Sequence, residues 1–234
     1  MSVAAILAAA GRGSRLGRPK QMLVLDGKPI AGWSLDALAR SSHIDAIIVA
    51  CEDDERGKFE DVARSYGRGK VAALVSGGAR RQDSVYAALR ILPEHTDFVV
   101  VHDGARPFAS DALIERCLAA ARETGAAIAA VSVKDTIKRV GEHNVVTTTY
   151  PREQLWAAQT PQVFGFEILL QAHERALQGG FVGTDDAMLV EWANLCPVMI
   201  VEGSYDNIKI TTQEDLFLAA MIAHRDQFTE SQRP

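Results

Sequence analysis

Residues 3–21 read Val-Ala-Ala-Ile-Leu-Ala-Ala-Ala-Gly-Arg-Gly-Ser-Arg-Leu-Gly-Arg-Pro-Lys-Gln. The apolar run 3–9 predicts a short buried strand, and the residues after it predict a loop. Small side chains let backbone N–H groups approach an anion closely, and Gly11 and Gly13 permit the dihedral angles that such a loop requires. In an open α/β sheet, ligands bind beyond the carboxyl ends of the strands. We therefore expect a binding site directly after the first strand.

Similar apolar runs recur along the chain and predict further strands at 46–51, 71–75, 98–102, 126–133 and 198–201. Segments with helical periodicity lie between them. Strands that are buried on both faces and alternate with helices are typical of parallel sheets covered by helices. The pattern predicts an α/β fold, Rossmann-like and doubly wound, with a mostly parallel sheet. No repeat or linker divides the chain, so we expect residues 1–234 to form a single domain.

Two helices have recognisable ends. The pattern predicts a helix over 110–124, with Ser110 as its N-cap and Gly125 as its stop. A last helix is predicted to begin at Thr211, with Glu214 completing a capping box. Its apolar face is predicted to consist of Leu216, Phe217, Ala220 and Met221.

A β-hairpin interrupts the alternation of strands and helices. Residues 136–139 and 145–149 are rich in β-branched side chains, and 141–144 form the turn between them. An isolated two-stranded ribbon is only marginally stable in water. The segment at about 136–152 is therefore predicted to be a protruding arm that packs on a second subunit. The alternative is a flexible surface hairpin.

Bulk properties restrict the possible partners. A net charge of -5 and a pI near 5.7 argue against nucleic-acid binding through bulk electrostatics. The first apolar run is too short to span a bilayer and lacks the basic segment of a signal peptide, so we expect no membrane association and a cytoplasmic location. The cysteines, Cys51, Cys117 and Cys196, have neither disulfide nor zinc spacing and are predicted to be buried thiols.

The loop after the first strand concentrates positive charge. Arg12, Arg15, Arg18 and Lys20 place four cations within nine positions of an acidic protein, which favours a triphosphate ligand. A P-loop would need Gly-Lys-Ser/Thr after four spacer residues, and this is absent. The dinucleotide fingerprint would need a third glycine where Leu16 stands, which disfavours a dinucleotide-binding oxidoreductase. A glycine turn with solvated arginines is the structural alternative.

Two further loops follow predicted strands. Residues 77–85, Gly-Gly-Ala-Arg-Arg-Gln-Asp-Ser-Val, begin a helix on which Arg81 and Ser84 share a face, and their small residues suit a flat base. In residues 102–107, His-Asp-Gly-Ala-Arg-Pro, the acid Asp103 reaches the same rim of the sheet as the first loop. It is suited to orient a hydroxyl group or a metal-bound water. A local ion pair between Asp103 and Arg106 is the alternative.

The first loop resembles the signature of the sugar-phosphate nucleotidyltransferases, which is a strand, a glycine-rich loop, an arginine and then Pro-Lys. By this resemblance, Arg15 and Lys20 stabilise the transition state at the α-phosphorus of a nucleotide. Attack on phosphorus builds charge on its oxygens and on the leaving pyrophosphate, and positioned cations lower that barrier.

The ordered set of motifs is more specific. Over about residues 3–219 it closely resembles the 2-C-methyl-D-erythritol 4-phosphate cytidylyltransferase family of the non-mevalonate isoprenoid pathway. The matching motifs are Ala-Ala-Gly-x-Gly-x-Arg, Pro-Lys-Gln, Gly-Gly-x-x-Arg-x-x-Ser-Val, His-Asp-x-Ala-Arg-Pro, Thr-Pro-Gln, Thr-Asp-Asp and Asp-Asn-Ile-Lys-Ile-Thr. The implied reaction joins CTP to methylerythritol phosphate and releases pyrophosphate.

The resemblance also implies roles for individual residues. With Gly13 and Arg81 from the loops above, the nucleotide-binding residues are Ala9, Ala10, Gly11, Gly78, Ser84 and Thr160. The catalytic residues are Arg15, Lys20, Arg152 and Lys209, of which the last two hold the acceptor phosphate. The acceptor-binding residues are Asp103, Arg106, Thr184 and Asp206.

The family resemblance further implies a homodimer in which Arg152 reaches the neighbouring subunit's site. It implies Mg²⁺ as cofactor, held mainly by the CTP phosphates, and leaves open whether Asp103 or Asp206 touches the metal. The nearest alternative is a ribitol-5-phosphate cytidylyltransferase, in which a second glycine tends to replace Ala10. A non-catalytic nucleotide-binding regulator would tolerate loss of the four catalytic cations, yet all four are present.

Overall fold

The fold is seen in a computed structural model that describes residues 1–11 and 20–231, with side chains as far as residue 225. The strands of this part of the chain are β1 (Val3–Ala8), β2 (Val24–Leu25), β3 (Lys28–Pro29), β4 (Ala46–Cys51), β5 (Val71–Ser76), β6 (Phe98–Asp103), β7 (Ala126–Ser132), β8 (Lys138–Val140), β9 (Val146–Thr149), β10 (Trp156–Gly165) and β11 (Val198–Glu202). Its α-helices are α1 (Ile30–Arg40), α2 (Arg56–Tyr66), α3 (Arg81–Leu89), α4 (Asp111–Thr124), α5 (Phe166–Gly179), α6 (Asp186–Trp192) and α7 (Gln213–Ser231).

Seven strands form the central sheet, in the order β11-β7-β10-β6-β1-β4-β5. Strand β1 lies at its centre, where Ile6 pairs with Ile48 of β4 on one side and with Val101 of β6 on the other, both in parallel. Only β10 runs antiparallel to its neighbours β6 and β7. The mostly parallel sheet and all six predicted strands are confirmed, whereas β10 was not predicted.

Helices cover both faces of the sheet, as a doubly wound fold requires. Along β1, Ala5 and Leu7 belong to one apolar cluster, which packs against α1, α2 and α4. The intervening Ala4 and Ile6 belong to a second cluster, which packs against α3, α5 and α6. Because successive side chains of a strand point to opposite faces, a continuously apolar strand builds both cores.

The predicted ends of α4 are confirmed. The backbone N–H of Leu113 donates to the Ser110 hydroxyl at 3.2 Å, which is an N-cap hydrogen bond. At the other end, Gly125 has φ +90°, a left-handed conformation that glycine adopts without a steric penalty. Sequence therefore fixes both ends of this helix.

The predicted start of the last helix was wrong by about two residues. Helix α7 begins at Gln213, and its cap pairs Thr212 with Asp215 in place of Thr211 with Glu214. The Asp215 carboxylate also accepts the backbone N–H of Thr211 at 2.7 Å. Two carboxylates at neighbouring positions compete for this role, and Asp215 is the one that turns back to the helix start.

The predicted apolar face of α7 was correct in only half of its members. Leu216 and Ala220 pack against a small third cluster around Ile30 and Ile210. In contrast, Phe217 is 67% exposed and Met221 is 71% exposed. Because one narrow stripe of α7 contacts the domain, its other apolar side chains face outward.

The predicted hairpin is present. Strands β8 and β9 pair antiparallel, with Lys138 opposite Thr149, and every residue of both strands is exposed. The described residues of this chain therefore bury almost none of the arm's surface. The packing of the arm on a second subunit stays a prediction.

The cysteines lie in apolar surroundings. Cys51 and Cys117 are buried and Cys196 is half-buried. Burial raises the pKa of Cys51 to about 11 and that of Cys117 to about 12. The prediction of buried thiols is thus confirmed for Cys51 and Cys117. Among the described helices, none combines the length and apolar character needed to cross a bilayer.

Candidate active site

A cleft of about 660 Å³ opens at the carboxyl ends of β1, β5 and β6. Ligand sites of enzymes commonly have such volumes. The sequence-predicted site residues that line this cleft are Ala10, Gly11, Lys20, Gly78, Arg81, Ser84, Asp103 and Lys209. Ala9 lines an adjoining hollow that continues toward residues 52–55. The structure thus brings together side chains from both ends of the chain.

The wall formed by the loops after β1 and β5 is packed too closely for larger residues. A Cβ on Gly77 would lie 2.0 Å from the Ala10 Cβ, and one on Gly78 would lie 2.4 Å from the Asp83 Cβ. Ser84 fixes this wall because its hydroxyl accepts the Gly78 N–H at 3.0 Å and donates to the Arg80 carbonyl at 3.1 Å. The glycines therefore let two loops meet beside the cleft.

Asp103 is the buried carboxylate of the cleft. Its Oδ1 accepts from Arg81 Nε at 2.9 Å, and its Oδ2 lies 2.7 Å from Lys209 Nζ and 3.8 Å from Arg106 Nε. Burial by itself would raise the pKa of Asp103, but the neighbouring Arg81, Lys209 and Arg106 hold that pKa well below its usual range. Asp103 is therefore ionised near neutral pH.

Arg106 lies behind the cleft. It is 9% exposed, and its two terminal nitrogens donate to the backbone carbonyls of Asn207 at 2.8 Å and Ala158 at 3.3 Å. These bonds tie the end of β6 to the loop that carries Lys209. The predicted local ion pair between Asp103 and Arg106 is present, although at 3.8 Å it is the longest of the contacts to that carboxylate.

Thr160 and His102 are hydrogen-bonded to each other beneath the turn that carries Asp103. The Thr160 hydroxyl accepts the Asp103 N–H at 3.0 Å and lies 2.9 Å from His102 Nδ1, while His102 Nε2 lies 2.9 Å from the Arg106 carbonyl. A carbonyl only accepts, so Nε2 carries the ring proton and Nδ1 accepts from Thr160. Burial lowers the pKa of His102 to about 4, so the ring is neutral.

Sequence reasoning gave His102 no role, although the residue stands in the quoted His-Asp motif. A buried strand that ends on a histidine was the available signal. The fully buried ring links the Thr160 hydroxyl to the Arg106 carbonyl, and Thr160 in turn accepts the Asp103 N–H.

The Thr-Asp-Asp motif has two distinct carboxylates. Asp185 caps α6 by accepting the Met188 N–H at 3.0 Å. Asp186 is fully buried and accepts from Arg81 Nη1 at 2.6 Å, with His173 Nε2 at 3.3 Å from its other oxygen. Thr184 is exposed, and its hydroxyl contacts the Met188 sulfur at 3.6 Å.

Six predicted site residues are described but do not line the cleft. Ala9 lines the adjoining hollow, Arg106 and Thr160 are buried behind the cleft, and the other three are Thr184, Arg152 and Asp206. Arg152 donates to the Lys134 carbonyl at 3.2 Å at the base of the arm, and Asp206 pairs with Arg225 of α7 at 2.6 Å. Two further predictions, Gly13 and Arg15, lie outside the described residues.

This cleft combines a close-packed glycine wall, loop lysines and a carboxylate surrounded by cations. Its position beyond the strand ends of a doubly wound sheet is where such folds bind nucleotides. Fold and site together define the class of nucleotidyltransferases.

Comparisons with known proteins agree with this class and identify one family within it. The family model described as 2-C-methyl-D-erythritol 4-phosphate cytidylyltransferase (IspD) matches residues 3–225. Relatives of that name from Bacillus cytotoxicus and Pelotomaculum thermopropionicum are 47% and 48% identical, over 94% of this chain in both cases and over 96% and 93% of the relatives. The chain belongs to the 2-C-methyl-D-erythritol 4-phosphate cytidylyltransferase family.

Solved structures show the same fold. A 4-diphosphocytidyl-2C-methyl-D-erythritol synthase from Anaerococcus prevotii superposes with a TM-score of 0.86 at 33% identity and covers 96% of both chains. The cytidylyltransferase from Thermus thermophilus has a TM-score of 0.77 at 32% identity, and the match covers 96% of this chain and 100% of that one.

Proposed function

We propose that this protein joins CTP to 2-C-methyl-D-erythritol 4-phosphate, giving 4-diphosphocytidyl-2-C-methyl-D-erythritol and pyrophosphate for isoprenoid synthesis. The observation that carries the proposal is the cleft in which Lys20, from the first loop, and Lys209, from the last, line one space beside Asp103. The family match supports the substrates.

In the proposed reaction, a phosphate oxygen of the acceptor attacks the α-phosphorus of CTP. The bond from that phosphorus to the bridging oxygen of the β-phosphate breaks, and pyrophosphate leaves with the electron pair. A phosphate monoester is already a competent nucleophile, so the chain needs to supply no general base. Its task is to place two anions together and to stabilise the added charge at phosphorus.

The cations divide this task. Lys20, with Arg15, is assigned to the triphosphate, where charge develops on the leaving group. Lys209, whose side chain is 39% exposed, is assigned to the acceptor phosphate. The glycine wall at residues 77–78 is assigned to the cytidine, since the backbone there accommodates a flat base.

The cofactor proposed for the reaction is Mg²⁺, which when bound supplies charge neutralisation on the triphosphate oxygens. Asp103 does not fit a direct metal ligand in this arrangement, because both of its oxygens face cations. Asp206 is paired with Arg225. We therefore assign the metal to the CTP phosphates.

We further propose that the chain acts as one nucleotidyltransferase domain whose arm, at about 136–152, joins two copies into a homodimer. The exposure of every residue in β8 and β9 supports this, because valines at 140 and 146 would then be covered. Arg152 would complete the neighbouring site. The cytoplasmic location stays a prediction.

Pyrophosphate release tests the reaction. Purified protein with CTP and Mg²⁺ is supplied with methylerythritol phosphate or with ribitol 5-phosphate, and we expect turnover with the first. Lys20→Ala should lose at least about a hundredfold in kcat/KM, the scale of one transition-state contact. Lys58→Ala, on the exposed face of α2, is the matched control and should keep full activity. Turnover with neither acceptor would refute the proposed function.

Subunit mixing tests the arm. Arg152→Ala and Lys209→Ala chains are each expected to be inactive alone. After they are unfolded and refolded together, a mixed dimer has one site with both residues intact if Arg152 serves the neighbouring subunit. Because half of the dimers are mixed and each has one such site, about a quarter of the activity should return. No recovery would place Arg152 in its own subunit's site or exclude it from catalysis.

A further inference from the structure

Arg81 occupies an unusual position for a residue expected to contact a nucleotide. It is the first residue of α3, and its guanidinium bridges two carboxylates from different elements. Nε donates to Asp103 at the end of β6 at 2.9 Å, and Nη1 donates to Asp186 at the start of α6 at 2.6 Å. Two of its donor nitrogens are therefore already used by the protein.

Lys209 has two possible partners, the Asp103 carboxylate and the acceptor phosphate. Its ammonium lies 2.7 Å from Asp103 Oδ2, yet the proposed reaction needs the same ammonium at the acceptor phosphate. If Lys209 were the only cation near Asp103, then moving it would leave a buried carboxylate without a partner. A buried carboxylate without a partner is strongly unfavourable in proteins. The acceptor would have to offset that cost on binding.

We propose that Arg81 is a positioning residue that neutralises Asp103 and thereby leaves Lys209 available for the acceptor phosphate. This inference rests on the proposed function. The planar guanidinium suits the role because it pairs with both carboxylates at once, which a lysine ammonium does less well. Arg106 supports it only in part, since its nearest approach to Asp103 is 3.8 Å.

Asp186 belongs to the same arrangement. It is fully buried at the first turn of α6, with His173 as its other neighbour, and Tyr86 stacks on that histidine at 5.8 Å between ring centroids. An arginine held at one end by this packed group keeps its Nε directed at Asp103. Asp186 thus orients Arg81, and Arg81 in turn fixes the carboxylate of the cleft.

The test compares variants that differ only in the charge at position 81. Arg81→Gln combined with Asp186→Asn removes both buried charges and keeps hydrogen-bonding groups at each position. Arg81→Lys with Asp186→Asn restores one cation for Asp103. Asp186→Asn alone is the matched control that keeps Arg81. Urea denaturation establishes that each variant folds, and calorimetry measures the binding of methylerythritol phosphate, inorganic phosphate and CTP.

We expect Arg81→Gln/Asp186→Asn to bind methylerythritol phosphate about tenfold more weakly than wild type, which corresponds to about 1.4 kcal/mol. Arg81→Lys/Asp186→Asn should recover most of this affinity. Asp186→Asn keeps an oxygen that accepts from Arg81 Nη1, so it should bind the acceptor within about threefold of wild type. CTP affinity should change less than about threefold in every variant. Equal losses for CTP and the acceptor would make Arg81 a nucleotide contact and overturn the inference.

Several other results would overturn the role proposed for Arg81. Unchanged acceptor binding in the Gln/Asn variant, or no recovery with lysine, overturns the proposal. If the Gln/Asn variant fails to fold, Asp186→Asn still tests the proposal, because it keeps both the Arg81 cation and an oxygen that accepts from it. Acceptor binding by Asp186→Asn more than about threefold weaker than wild type then overturns the proposal. The proposal is also overturned if the wild-type protein binds neither methylerythritol phosphate nor inorganic phosphate. Pyrophosphate release by wild type separates the two hypotheses, because binding without turnover refutes the proposed function while the binding comparison still tests Arg81.

Discussion

Replacing His102 with glutamine should change how the stability of the protein depends on pH. The ring is fully buried between the Thr160 hydroxyl and the Arg106 carbonyl. Glutamine retains a donor for that carbonyl but does not titrate. The variant therefore separates the hydrogen bonds of the ring from its protonation.

The magnitude follows from the pKa of His102, which burial lowers from 6.5 to about 4. Below pH 6.5 the unfolded chain binds a proton at this position, whereas the folded chain binds it only near pH 4. Stability from the neutral ring is therefore complete above pH 6.5 and is lost as the pH falls. Over the whole window the loss is about 3 kcal/mol. At pH 7.5 or so, the substitution itself costs about 1–3 kcal/mol, because the Thr160 hydroxyl loses its acceptor.

Urea denaturation followed by tryptophan fluorescence measures both quantities between about pH 4 and pH 8. Wild type should be the more stable protein at neutral pH, and the two stability curves should converge toward pH 4. The lowered pKa values of Asp103 and Asp186 act in a separate window below about pH 3.8, where folded-state stability falls in both proteins. His95→Gln, at an exposed position, should follow wild type. A constant difference between wild type and His102→Gln at every pH would refute the reasoning.

Three further outcomes are expected. Gly77→Ala should weaken CTP binding by about 1–3 kcal/mol in a calorimetric titration, because its Cβ would lie 2.0 Å from a neighbouring Cβ. Gly57→Ala, which has open space around it, should leave CTP binding unchanged. In denaturation experiments, Ile222→Ala should cost about 2–5 kcal/mol and Met221→Gln less than about 0.5 kcal/mol, because the first side chain is 4% exposed and the second 71%; equal costs would contradict the observed face of α7. Cys51 should resist iodoacetamide in native protein at pH 7.5 or so and react after unfolding, since burial raises its pKa to about 11; rapid native labelling would contradict this.

The fold was largely predictable because parallel strands buried on both faces appear as continuous apolar runs. Strand β10 was not predicted because it lacks such a continuous apolar run. Its middle carries Thr160, Pro161 and Gln162, and a register shift occurs between Ala158 and Gln162. Thr160 accepts the Asp103 N–H and Gln162 donates to Asp185 at the start of α6, so the sequence there lacks the apolar run of a core strand.

The site was predictable as far as its loops. Loops after β1, β5 and β6 had to meet because the carboxyl ends of parallel strands share one edge of the sheet. The pairing of side chains within that edge was not predictable. Arg81 and Asp186 are 105 positions apart, and nothing local to either distinguishes a buried partner from a helix-capping acid.

The ion pairs of the cleft explain how an acidic protein binds two anionic substrates. Arg81 and Lys209 both pair with Asp103, so the cations are held in place before any ligand arrives. In the proposed reaction, an arriving acceptor phosphate must compete with that carboxylate for Lys209. A phosphate monoester carries up to two negative charges at neutral pH and presents three oxygens, so it competes better than a carboxylate or a hydroxyl does. With Asp103 still neutralised by Arg81, the exchange favours the acceptor only when the acceptor has its phosphate. If Lys209 binds the acceptor phosphate as proposed, we expect the carboxylate to make the site selective for a phosphorylated acceptor, which a cluster of unpaired lysines would not do.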